Sequence, residues 1–124
     1  QDQMVLKEFK TVIREGGVPI PEIVSELDTS SVLSEYVGRV YKRIYSKWKT
    51  PLGSKVKKVV VAFTIFRHGN IDTPVIRESA GDDNLDSIAV RAILDAVPFP
   101  RLPEELGRPN LRISIIFKYV PEKK

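Results

Sequence analysis

The sequence predicts a small α+β domain in which two helices pack on one face of a three-stranded antiparallel or mixed sheet, in the order helix, strand, strand, helix, strand. Two segments repeat apolar residues at spacings of three and four, as amphipathic helices do. Three further segments are predicted strands: the first by its β-branched and aromatic content, the second as the return after a tight turn, and the third by alternation along the chain. With 124 residues, of which 42% are hydrophobic, the chain is long enough to bury a core without disulfides. It contains no cysteine.

The first predicted helix begins near Ser31 and ends before Pro51. Its apolar stripe consists of Leu33, Val37, Val40, Tyr41, Ile44, Tyr45 and Trp48. Ser30 or Ser31 is expected to cap the start by accepting a backbone N–H bond, and Pro51 blocks continuation. We expect the stripe, with its aromatic residues, to be buried against the sheet.

The first two strands form a predicted hairpin. Residues 55–66 place apolar side chains on both faces of a strand. Gly69 and Asn70 then tolerate the positive φ of a tight turn. The return strand covers residues 71–79, and Pro74 favours a sheet edge or a bulge because proline has no amide for the ladder.

The second helix and the last strand complete the domain. Asp82 or Asp83 caps the helix, which ends at Pro98, and a stiff proline-rich connection follows over residues 98–103. A right-handed crossover places the last strand beside the first, so the sheet order is second, first, third. The last strand is then expected at an edge, where its unpaired backbone groups are available to a partner strand.

Residues 1–30 differ in character from residues 31–124, and we interpret them as an N-terminal extension or the end of a linker. Glycine and proline pairs interrupt this segment at Gly16-Gly17 and at Pro19 and Pro21. Apolar spacing predicts a short helix from Met4, Val5, Phe9, Val12 and Ile13, and another helical turn from Ile23, Val24 and Leu27.

The net charge of +4 is concentrated in the middle of the chain, where residues 36–71 carry nine basic groups and no acidic one. Such a block attracts phosphates, acidic lipids or acidic proteins, and the charge alone does not indicate which of them is the ligand. A nucleic-acid-binding module is therefore one alternative, based on Lys42, Arg43 and Lys47 next to aromatic residues. The helical phase argues against it, because it places those aromatic residues on the buried stripe.

No residue pattern indicates an enzyme, a metal centre or a cofactor site. His68 is the only histidine and lies in the predicted turn. Ser79 lies outside a G-x-S-x-G elbow, and the acidic residues from Asp82 to Asp86 lack calcium-loop spacing and suit a helix start. No apolar run approaches the ~18 residues of a membrane span.

Several segments, taken in order, resemble the C-terminal domain of the TonB/TolA energy-transducer family. They are Tyr36…Ile44…Trp48-Lys49-Thr50-Pro51, Val59-Val60-Val61-Ala62-Phe63, Arg67-His68-Gly69-Asn70-Ile71, Ser79-Ala80-Gly81, Leu85-Asp86…Ala89, Pro98-Phe99-Pro100-Arg101-Leu102-Pro103 and Ile113-Ser114-Ile115-Ile116-Phe117-Lys118-Tyr119. The resemblance covers about residues 31–120.

The resemblance implies a periplasmic domain of a Gram-negative protein that is anchored in the inner membrane and driven by an ExbB/ExbD-type motor through an upstream anchor. A TonB-like member binds the box peptide of an outer-membrane transporter, which adds as a strand to the last strand of the domain. A TolA-like member, the alternative, binds Tol-Pal components and supports envelope integrity. The resemblance implies no cofactor and no nucleic acid, and it leaves a homodimer open.

Carried over to this sequence, the partner-binding edge is the last strand. Its residues are Leu111, Arg112, Ile113, Ser114, Ile115, Ile116, Phe117, Lys118 and Tyr119. Main-chain bonds would supply affinity, and the side chains of Arg112, Ser114, Ile116 and Lys118 would set preference. In the competing interpretation, this strand is ordinary core and residues 1–30 cover its edge.

Overall fold

The computed structural model describes residues 2–15, 18–20, 28–53 and 55–121. Its elements are β1 (Asp2–Glu15), β2 (Val18–Ile20), α1 (Asp28–Lys47), β3 (Leu52–Gly53), β4 (Lys57–Phe66), β5 (Val75–Glu78), α2 (Asp83–Ala96), a short 3₁₀ helix (Glu104–Leu106) and β6 (Asn110–Pro121). Apart from the two-residue β3 and the short 3₁₀ helix, the elements from α1 to β6 follow the predicted order, which confirms the α+β class.

The three predicted strands are neighbours in the predicted order. The sheet runs β2-β1-β6-β4-β5, and β4 pairs antiparallel with both β5 and β6. Strand β5 lies at one edge, directly after Pro74, and its ladder with β4 shifts register between Val60 and Val61. Both features agree with the expectation for a strand that begins beside a proline.

Strand β1 corrects two expectations about the N-terminal segment. The residues predicted to form a short helix, Met4 to Ile13, form a strand instead, and this strand pairs antiparallel with β6. The edge position expected for the last strand is therefore wrong, because β6 lies between β4 and β1. The helical turn predicted from Ile23, Val24 and Leu27 lies outside the described residues. The division of the chain near residue 31 stays a prediction.

The start of α1 differs from expectation, whereas the start of α2 agrees with it. Helix α1 begins at Asp28, so Ser30 and Ser31 lie inside its first turn and the prediction that they cap it is wrong. The prediction for α2 is confirmed, since the Asp82 side chain accepts hydrogen bonds from the amides of Asn84 (2.9 Å) and Leu85 (3.3 Å). An aspartate at this position satisfies amides that have no partner within the helix.

One hydrophobic core lies between the sheet and the two helices. Its fully or almost fully buried members include Val59, Val61, Phe63 and Ile65 from β4, Leu111, Ile113, Ile115, Phe117 and Tyr119 from β6, Tyr36, Val37, Val40 and Ile44 from α1, and Leu85, Ala89, Ala92, Ile93 and Ala96 from α2. Both helices therefore cover the same face of the sheet, as predicted. We call the opposite face of the sheet the outer face.

The proline-rich connection is held against the β4–β5 turn. The Phe99 amide donates to the Gly69 carbonyl oxygen at 2.9 Å, and the Leu102 amide donates to the Arg67 carbonyl oxygen at 3.0 Å. The buried Tyr36 hydroxyl of α1 donates to the Pro100 carbonyl oxygen at 2.7 Å. These three bonds fix the position of the chain as it leaves α2 for β6.

Candidate partner-binding site

The nine residues predicted to bind a partner all lie on β6, and they divide between the two faces of the sheet. The odd-numbered residues from Leu111 to Tyr119 are fully buried beneath the helices. Arg112, Ile116 and Lys118 are half-buried on the outer face, and Ser114 between them is buried. The four residues expected to set partner preference therefore share one face, as strand alternation requires.

The backbone direction of β6 follows from a contact on β4. The Thr64 amide donates to Asp72 Oδ1 at 2.7 Å, and the Thr64 carbonyl oxygen accepts from the Asp72 amide at 3.2 Å, so the Thr64 backbone faces β5. Thr64 lies opposite Arg112 in the β4–β6 ladder. Backbone groups alternate sides along an antiparallel strand, so even-numbered β6 residues direct their amides and carbonyls away from β4.

Both backbone sides of the predicted site are paired in this structure. On one side the β4 ladder runs without interruption from Lys57 opposite Tyr119 to Phe66 opposite Asn110. On the other side, β1 lies along the strand up to Arg14 opposite Arg112. The described residues thus agree with the competing interpretation, in which the N-terminal segment covers the edge. Partner binding at residues 111–119 stays a prediction.

The β1 ladder is less regular than the β4 ladder. Its register shifts between Leu6 and Glu8. On its outer side β1 pairs only at its two ends, with β3 at Asp2 and Gln3 and with β2 at Ile13 to Glu15. Within the described part of the chain, the middle of β1 therefore has a neighbouring strand on one side alone.

The start of β1 is anchored by Met4. Its side chain is fully buried, and its amide donates to the Pro51 carbonyl oxygen at 2.9 Å. The methionine lies directly against Gly53, where a Cβ atom would be 2.5 Å from the Met4 sulfur. Glycine at position 53 thus leaves the space that this anchor occupies.

Aromatic residues pack at the end of α1 against the C-terminal half of β6. The Trp48 ring stacks on Tyr119 at a centroid distance of 5.9 Å and on Tyr45 at 6.2 Å. The Trp48 indole nitrogen and the Tyr119 hydroxyl are buried, and neither has a hydrogen-bond partner in the described ranges. Burial raises the pKa of Tyr119, partly opposed by the neighbouring Trp48 indole. The prediction that Tyr45 is buried is wrong, since it is 57% exposed.

On the outer face, Arg112 ties β6 to β4 and to the connection between β4 and β5. One guanidinium nitrogen donates to Thr64 Oγ1 at 2.9 Å and lies 3.5 Å from Asp72 Oδ2. Lys58 and Glu78 form a second ion pair across β4 and β5 at 3.2 Å. Arg112 thus contributes to the sheet itself, in addition to any role toward a partner.

Two charged residues discussed in the sequence analysis, Arg43 and Asp86, form hydrogen bonds within the domain. Arg43 Nε donates to the Ala96 carbonyl oxygen at 2.9 Å, which satisfies the C-terminal end of α2. Asp86 accepts a bond from the Ala80 amide at 2.8 Å and another from the Ser79 hydroxyl. These bonds hold the loop before α2. His68 lies in the β4–β5 turn.

The described residues contain neither a metal-binding cluster nor a helix suited to cross a membrane. No cluster of three or more histidine, cysteine, aspartate or glutamate side chains there is placed to hold a metal ion. No helix in the same ranges combines the length and apolar character of a membrane span.

Comparison with known proteins gives two matches. A family model described as TonB C terminal matches residues 33–117, well over half of the chain. The solution NMR structure of the Helicobacter pylori TonB C-terminal domain is similar with a TM-score of 0.59 and 23% sequence identity, covering 81% of this chain and 100% of that chain. At this identity the second match supports the fold alone. No curated protein sequence matches.

Proposed function

Because the chain belongs to the TonB C-terminal domain family, a family of periplasmic, non-enzymatic interaction domains, we propose that it links a proton-driven inner-membrane motor to outer-membrane transporters. In this proposal the motor is of the ExbB/ExbD type and acts through an upstream inner-membrane anchor. The observation that carries the proposal is the family match, which spans α1 to β6 and includes most of the predicted binding strand.

The proposed ligand is an extended peptide, the box segment of a transporter, that pairs with β6 along residues 111–119. Because the Thr64 backbone faces β5, the backbone groups of β6 that would bind the peptide can be assigned. The amides and carbonyls of Arg112, Ser114, Ile116 and Lys118 face away from β4, so they are the groups with which a strand on that side pairs. A partner peptide would therefore contact β6 through alternate residues.

A series of backbone-methylated peptides tests this mode of binding. A labelled box peptide from a candidate transporter is titrated with the full chain, and N-methyl groups are then placed on successive peptide amides. A peptide that pairs with a strand directs every second amide at it. We expect methylation at alternate positions to weaken binding about tenfold or more and methylation between them to have little effect. Equal losses at all positions, or none, would reject strand addition.

The two alternatives predict different partners in the same assay. A TolA-like role predicts capture of Tol-Pal components in place of transporter peptides, and the family match to TonB does not favour it. A nucleic-acid role predicts binding that weakens steeply with salt and that depends on the basic face of α1. On that face, the guanidinium of Arg43 is already bonded to α2.

A further inference from the structure

We propose that β1 is an internal competitor for the partner site, and that a partner peptide binds β6 by replacing β1 through strand exchange. This inference rests on the proposed function. It adds that the resting chain holds its own binding edge closed and that the partner has to displace residues 6–14, which lie opposite residues 112–119, to reach it.

The first support is that β1 and the proposed peptide require the same backbone groups. The backbone amides and carbonyls of the even-numbered β6 residues point away from β4. Directly opposite these residues on β1 lie Glu8, Lys10, Val12 and Arg14. No second set of amides on β6 remains for a peptide, because the odd-numbered set faces β4. A peptide therefore cannot pair with β6 while β1 is in place.

The second support is that β1 is the neighbour of β6 that can leave at lower cost. Strand β4 pairs with β6 without a register shift, and its odd-numbered residues from Val59 to Ile65 are fully buried under the helices. Strand β1 has a register shift after Leu6, and within the described ranges no strand pairs with its outer side along its middle. The family match also begins at residue 33, so it contains β4 and β6 without β1.

The third support is that exchange conserves the number of backbone hydrogen bonds. Each β6 amide that loses its hydrogen bond to β1 gains one to the peptide, so no buried β6 amide remains unpaired when the exchange is complete. The measured affinity of the partner peptide then depends on its intrinsic affinity for the open edge of β6 and on the fraction of chains in which β1 is released. A low released fraction weakens the measured affinity in proportion.

Covalent linkage makes β1 an effective competitor. A strand joined to the same chain competes at an effective concentration that is roughly millimolar for short flexible connections. A free peptide at lower concentration therefore has to bind β6 more tightly than β1 does in order to replace it. Without a peptide, β1 stays on β6 and the edge stays closed. Removing or holding β1 should therefore change peptide affinity in opposite directions.

The decisive experiment ties β1 to β6 with a disulfide in the full chain. Lys10 lies directly opposite Ile116, and hydrogen-bonded antiparallel pairs have Cα atoms about 5.5 Å apart, within the range that a disulfide spans. The double variant Lys10→Cys, Ile116→Cys forms one defined bridge because the chain has no other cysteine. Its matched control, Val60→Cys with Glu78→Cys, ties β4 to β5 outside the proposed peptide site.

Peptide binding is measured by fluorescence anisotropy for both variants, oxidised and reduced. We expect oxidation of the Lys10 and Ile116 pair to weaken binding at least about tenfold and reduction to restore it. The control should bind equally in both states. Equal binding by the oxidised and reduced Lys10 and Ile116 pair would overturn strand exchange while leaving the proposed function in place.

Single prolines give an independent measurement that does not depend on disulfide geometry. The Lys10 amide faces β6, so Lys10→Pro removes one β1–β6 bond, whereas Thr11→Pro removes an amide that faces away. We expect Lys10→Pro to tighten peptide binding about fivefold relative to Thr11→Pro, the change that corresponds to a bond of about 1 kcal/mol. Equal affinities would overturn the inference. No binding by any variant or by the wild-type chain would instead reject the proposed function.

Discussion

Replacing Gly69 with alanine should destabilise the domain through a clash with the connection that leads to β6. Gly69 has a φ of +97°, which costs a non-glycine residue about 1–2 kcal/mol. A Cβ atom at this position would lie 1.9 Å from the Phe99 carbonyl oxygen, so the connection has to move.

The movement has a calculable cost. It breaks the bond from the Phe99 amide to Gly69, worth about 1 kcal/mol. It also disturbs the nearly buried Phe99 ring, which stacks on Phe63 at 5.9 Å. Adding a partial loss of this packing, we expect Gly69→Ala to reduce the free energy of unfolding by about 3–5 kcal/mol.

Urea unfolding followed by the fluorescence of Trp48, the single tryptophan, measures this effect. The matched control is Gly81→Ala, because Gly81 has a φ of +76° but nothing within 4 Å of its Cβ position. That variant should lose only the conformational cost of about 1–2 kcal/mol. Equal destabilisation by the two variants would refute the clash and with it the described position of the connection.

Two further predictions concern Tyr36 and Asp82. Burial raises the pKa of Tyr36 to about 12, so its contribution to stability is complete below the ordinary pKa of 10.0 and is lost as the pH rises toward 12. Tyr36→Phe should therefore flatten the decline of stability over this alkaline range, measured by urea unfolding at a series of pH values, and a slope like that of the wild type would contradict it. Asp82→Ala removes the cap of α2 and should cost about 1 kcal/mol, whereas Asp83→Ala, one residue inside the helix, should cost less; equal losses in unfolding free energy would be inconsistent with the cap.

The parts of the fold that sequence predicts well are those with a local signal. The β-branched and aromatic content of residues 59–66 identifies β4 as a strand, and Pro74 places β5 at an edge. Asp82 is recognisable as a cap because it directly precedes an apolar repeat with helical spacing. In each case a few neighbouring residues contain the information that determines the structure.

The pairing of β1 with β6 has no such local signal. Residues 4–13 contain apolar residues at spacings that also fit a helix, and the partner that selects a strand lies about a hundred residues away at 110–121. Pairing with β6 supplies the hydrogen bonds that override the helical spacing. The β-branched and aromatic content of this segment, with Val5, Phe9, Val12 and Ile13, was the available hint.

Tyr45 shows a second limit of periodicity. An apolar stripe at spacings of three and four is wider than the surface of α1 that actually packs on the sheet. Val37, Val40 and Ile44 lie at its centre and are buried, whereas Tyr45 lies at its margin beside Trp48. The sequence thus predicts the direction of the helix face but not its width.

Amide hydrogen exchange of the full chain, with and without a saturating transporter peptide, tests the central claim most directly. Strand exchange predicts that the amides of Ser114 and Ile116 stay protected in both states, because one strand replaces another on β6. The amides of Lys10 and Val12 should be protected in the free chain and exchange rapidly in the complex. Continued protection of Lys10 and Val12 at peptide saturation would contradict it.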